Sequence, residues 1–165
     1  MGGWGQTSGN VDAGLMHSTF YDNWSPMFNI AGTGVITYPE RYATNQNVNI
    51  KFNIPSNGNV SLTVSGIIYG TSTVETYTHV EPASGFVYNG TNILKRVTSI
   101  GQATQDLSSG SWIDNVHWYS SLIVVSSSNY HTWLAADTYG YCSYTTSVVT
   151  VTFVNAGEET DSIDL

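Results

Sequence analysis

The stretch QNVNIKFNIPSNGNVSLTV, residues 46–64, decides the fold class of this chain. Val48, Ile50, Phe52 and Ile54 alternate with Asn47, Asn49, Lys51 and Asn53, the period-two pattern of a strand with one apolar and one wet face. Pro55-Ser56-Asn57-Gly58 follows with strong turn chemistry, and Val60, Leu62 and Val64 then alternate with Asn59, Ser61 and Thr63. The spacing predicts a β-hairpin closed by a four-residue loop.

Beyond the hairpin, Gly66 and Gly70 bracket Ile67-Ile68-Tyr69, which predicts a bend or bulge. A strand over 73–80 should place Tyr77 and His79 on one face and Val74 and Val80 on the other. Further strands are expected at 86–88 and 93–100, separated by the tight turn Asn89-Gly90. Residues 111–154 hold Trp112, Trp118 and Trp133 and five of the eleven Tyr, with no Lys, Arg or Pro, and read as paired central strands. Strands over 116–126, 130–138 and 142–154 would form an antiparallel meander. Trp118, Leu122 and Val124 on one face and Ile123 and Val125 on the other would require cover on both sides.

The flanks differ in texture. Residues 1–14 are Gly-rich and polar, and 15–42 set aromatics between turn formers such as Ser25-Pro26 and Gly32-Thr33-Gly34. Residues 1–45 therefore read as an extended, loop-rich N-terminal arm. Phe20, Tyr21, Trp24 and Phe28 would lie on the chain's own sheet or on a neighbouring subunit. Residues 155–165, with Glu158, Glu159, Asp161 and Asp164, read as an acidic mobile tail. The sum is an all-β chain of about eight or nine strands with no helix. We expect one antiparallel β-sandwich domain over 46–154, jelly-roll-like.

Composition restricts the function. Charged residues are only 10% of the chain, so uncharged polar groups must solvate it; 20 Ser, 20 Thr and 14 Asn supply them. The net charge is −8 and no Lys or Arg follows Arg96, which removes the clustered cations that nucleic acid or an anionic membrane would need. The single Cys142 excludes an intrachain disulfide, and no apolar run approaches membrane-spanning length. The N-terminal residues lack the cationic start and apolar segment of a signal peptide.

No motif selects a catalytic group. There is no Gly-x-Ser-x-Gly elbow and no phosphate-cradling Gly loop, and His17, His79, His117 and His131 are isolated in sequence. Asp114 and His117 are three apart, which on a regular strand places them on opposite faces. No cofactor, no metal and no enzymatic activity are expected. Two functions remain. The first is a structural protein of a larger assembly, with a virion (phage) surface protein as the leading case: a capsid decoration (cement) protein or a fibre or spike domain. It would be found at a virion surface or outside the cell, as a homo-oligomer with a trimer favoured. The alternative is a carbohydrate-binding, lectin-like domain that stacks sugar rings on loop aromatics, with Trp112, Asn115, Asp137, Tyr139 and Tyr141 as the binding set.

Overall fold

A computed structural model of the chain describes residues 2–5, 9–18, 20–55, 58–83, 93–96, 98, 100, 110–126, 128–137 and 148–165. The chain is all-β, built from several antiparallel sheets, and divides into two compact units, Met1–Val97 and Thr98–Leu165. Among the described residues the only helical turn is a 3₁₀ turn at Ala135–Asp137, and no helix is long and apolar enough to cross a membrane.

The first unit holds two sheets. One has the order β4 (Gly34–Thr37), β3 (Tyr21–Ile30), β2 (Gly9–Ser18), β1 (Gly2–Gly5), β9 (Ile93–Lys95), with β5 (Tyr42–Ala43) also paired to β3. The other has the order β6 (Asn49–Asn53), β7 (Asn59–Ile67), β8 (Val74–Pro82). The 46–64 hairpin forms as its alternation predicts, with Ile50 opposite Val64 and Phe52 opposite Leu62. Val60, Leu62 and Val64 are fully buried. In β8 the inner face carries Tyr77 and His79, while Val74 and Val80 are exposed, again as the alternation requires.

The segment read as an arm forms strands. Val11 pairs with Ile30 and Ala13 with Phe28, and all four are buried in one core with Tyr42, Val60, Leu62 and Val64. Phe28 thus packs inside its own chain, and Trp24 packs against the same core. Phe20 is 85% exposed, and the backbone of Tyr21 opens β3 by pairing with Ser18. The period-two signal was present in Val11-Asp12-Ala13-Gly14-Leu15, but Ala and Gly give it little hydropathy.

Tyr42 joins the two sheets. Its backbone pairs with Trp24 of β3 and bridges to Ile68 just beyond β7, and its hydroxyl donates to the Val64 carbonyl at 3.0 Å. Gly66 makes room for this ring: a Cβ there would lie 3.1 Å from Tyr42 Cδ1 and 3.2 Å from a Val48 methyl. The strand stays regular through Gly66, which pairs with Glu75, so Gly66 permits close approach; the expected bend comes at the turn beyond β7, where Gly70 has φ +77°.

The second unit holds a three-stranded sheet of order β10 (Trp112–Trp118), β14 (Glu158–Asp164), β13 (Val149–Asn155), and a two-stranded ribbon of β11 (Leu122–Ser126) and β12 (Asn129–Thr132). This replaces the expected 116–154 meander: β10 and β13 each pair with β14, and the chain leaves β10 before residue 122. In place of the expected mobile tail, 158–164 is the central strand of its sheet. It was illegible because its inward face, Glu159, Asp161 and Ile163, is mostly carboxylate. Gly157, with φ +80°, ties the ribbon to this sheet: its amide donates to the Trp133 carbonyl at 2.7 Å and its carbonyl accepts from the Ser121 amide at 2.9 Å.

Tyr42→Phe removes the donor to a buried carbonyl and should cost about 1–3 kcal/mol in denaturant unfolding. Burial, followed by the charges of Glu40, Tyr77 and Glu75, pushes the Tyr42 hydroxyl from 10.0 up to about 12. Between these values the unfolded hydroxyl ionises while the folded one keeps its proton, so this contribution is full below pH 10 and lost as pH rises towards 12. Stability measured across that window should fall more steeply in the parent protein than in Tyr42→Phe.

Candidate functional site

The candidate site is the open face of β10 and β14. Their register shifts between Ile113 and Val116, so that Asp114 and Asn115 together oppose Ser162. Asn115 takes the left-handed φ of 58° that its short polar side chain tolerates. Its amide donates to Ser162 Oγ at 3.0 Å, and Ser162 Oγ donates to Asp114 Oδ1 at 2.7 Å.

This bulge reverses the side-chain parity of β10. Trp112 lies opposite Asp164, and His117 lies opposite Thr160, so both belong to the face that also carries Ser162. Asp114, bonded to Ser162, joins them; the opposite-face expectation for Asp114 and His117 fails because it assumed an unbroken strand.

The other face is closed. Val116 pairs with Asp161 and Trp118 with Glu159, and Glu159 and Asp161 are buried. Trp118 Nε1 donates to Asp161 Oδ2 at 2.9 Å and to Thr98 Oγ1 at 3.1 Å, and Thr98 Oγ1 donates to the same carboxylate oxygen at 2.6 Å. Trp118 therefore anchors β10 to β14 through a buried carboxylate.

On the open face Trp112 is 71% exposed. It lines a groove of about 320 Å³ with Ile113, Asp114, Ser162, Ile163 and Asp164. Further along the same face, His117 Nε2 and Glu158 Oε1 hydrogen-bond at 2.8 Å, and the Tyr119 ring stacks on His117 with centroids 3.8 Å apart. Of the residues proposed as a glycan set, Trp112 and Asn115 belong to this region. Asp137 has another role: its Oδ2 accepts from the Leu134 amide at 2.7 Å and from His131 Nε2 at 2.8 Å, which closes the 3₁₀ turn. Tyr139, Tyr141 and Cys142 lie outside the described residues. Asp114, Ser162 and Asp164 were missed. Asp114 neighbours Trp112 in sequence, but the other two lie on the strand read as a tail.

A second polar cluster lies in the first unit. His79 stacks on Tyr38 with centroids 3.6 Å apart, and its Nε2 faces Glu40 Oε2 at 3.2 Å, outside hydrogen-bond geometry. Tyr38 donates to Glu81 Oε1 at 2.6 Å, and Tyr77 donates to Glu75. Burial first, and then the bond to Glu81, pushes the Tyr38 hydroxyl well above its ordinary value. These contacts fix the Tyr38–Tyr42 segment against β8. No group of three or more His, Cys, Asp or Glu among the described residues is arranged to hold a metal ion.

No protein-family model, curated protein or solved structure matches the chain.

The Leu134 amide, and then the His131 hydrogen bond, hold the Asp137 carboxyl below its ordinary range. A lowered carboxyl stabilises the fold fully above the unfolded carboxylate value, near ~4, and that contribution is lost as pH falls through the lowered folded value. Asp137→Asn should therefore lower stability at neutral pH and leave a shallower acid transition, read by near-ultraviolet circular dichroism between pH ~6 and pH ~2.

Proposed function

We propose that this chain is a non-enzymatic structural subunit of a larger assembly, a virion surface protein of the capsid decoration or fibre type being the leading case. One observation supports this most. On the β11–β12 ribbon, Leu122, Val124 and Tyr130 share one face and are 51%, 62% and 62% exposed. A two-stranded ribbon has no second layer of its own and is marginal in water, so such a face calls for cover by another subunit. The fold is also suited to this role. The two sheets of the first unit share one core, which supports a sandwich. A homo-oligomer, a trimer in the first instance, displayed at a virion surface or outside the cell, follows from this reading.

A glycan-binding module is the second reading. Its support is the exposed Trp112 with Asn115 three residues away, a flat apolar face beside polar groups.

Light scattering on the purified full chain should give a stable oligomer. Replacing Leu122, Val124 and Tyr130 together with Ser should yield a monomer that keeps the denaturant midpoint of the first unit. A parent protein that stays monomeric at high concentration would remove the assembly reading.

A further inference from the structure

We infer that the groove centred on Trp112 docks a Lys- or Arg-bearing segment of a protein partner, with a cationic side chain lying on the indole between Asp114 and Asp164. This deepens the assembly reading and rests on it.

The first argument is local. Trp112 and Asp164 are directly opposed across β10 and β14, which places their Cβ atoms about 5 Å apart. Asp114 lines the other side of the groove, with one carboxylate oxygen engaged by Ser162. An exposed indole face attracts a cation through its quadrupole, and a planar guanidinium can stack on it while its N–H groups reach carboxylates at the rim. A neutral sugar would stack equally well, but it would leave the carboxylate charge uncompensated. The groove offers two carboxylates and one hydroxyl.

The second argument is charge complementarity, and it comes from the whole unit. All four Lys and Arg residues of the chain fall in Met1–Val97, whereas seven of its twelve Asp and Glu fall in Thr98–Leu165. The second unit thus contains no Lys or Arg of its own beside the carboxylates of its open face. The imidazole on that face, His117, is already engaged by Glu158. A basic segment brought by a partner supplies the missing charge, and the attraction of an acidic face also speeds encounter.

The test uses the full chain and a tetra-arginine amide carrying fluorescein on its N-terminus, followed by anisotropy at low and physiological salt. Binding should weaken as salt rises. Trp112→Ala, Asp114→Asn and Asp164→Asn should each weaken it about tenfold, since each removes one element of the cation site. Asp22→Asn is the control: its side chain is 78% exposed in the first unit, and the substitution removes the same charge. It should leave affinity within about twofold, because Asp22 does not line the groove. If Asp22→Asn weakens binding as much as Asp164→Asn, the peptide reads net charge only and the inference is overturned. It is equally overturned if tetra-arginine does not bind, or if a neutral cello-oligosaccharide binds at Trp112 in its place. Circular dichroism of each variant confirms that the exposed substitutions leave the sheet intact. An oligomer that ignores the peptide would leave the assembly reading standing without this site. A monomer that binds it through Trp112 would overturn the assembly reading and leave cation recognition in place.

Discussion

The first unit depends on one buried tyrosine. At Tyr42 the six-stranded and three-stranded sheets are joined by hydrogen bonding as well as by apolar contact: its backbone belongs to one sheet and its hydroxyl donates to the other. Apolar burial is non-directional and would allow the sheets to slide. The Tyr42–Val64 bond has a direction, and the glycine at position 66 sets the distance at which it can form. Once that contact exists, Phe28, Ile30, Val60 and Leu62 have a fixed depth to fill.

The second unit follows a different rule. Its sheet buries Glu159 and Asp161 beside Ile163, and Trp118 and Thr98 donate to one oxygen of Asp161, offsetting part of the cost of that burial. Leu122, Val124 and Tyr130 meanwhile face outward on the β11–β12 ribbon, and Trp112 stands open beside two carboxylates. Polar groups inside and apolar groups outside are what a unit completed by other molecules would present.

How far the sequence could be read follows from the same contrast. The 46–64 hairpin was legible because apolar and polar residues alternate sharply and the turn residues are explicit. The facing of Tyr77 and His79 in β8 was legible for the same reason. Strand β2 was obscured because Ala13 and Gly14 carry the pattern with small side chains. Strand β14 was hidden further, since hydropathy cannot reveal a strand whose buried face bears carboxylates and whose donors lie far away in the chain. Aromatic density in 111–154 does not by itself sort inward from outward rings: Trp118 turns to the closed face, whereas Trp112, Tyr119 and Tyr130 are more than half exposed. At the site, Trp112 could be singled out, but its neighbours could not: the bulge at Asp114–Asn115 is set by pairing with Ser162, which no local pattern encodes.

Native-state hydrogen exchange, resolved by residue on the full chain, tests the central claim that the fold is anchored at Tyr42 in the first unit. The slowest amides should be those of β2, β3 and β7 around Val11, Phe28 and Val60–Val64, exchanging only by global unfolding of that unit. The amides of β10, β11 and β12 should open at lower free energy in the isolated protein. A slowest-exchanging set in 112–164, with 11–64 opening first, would contradict the account.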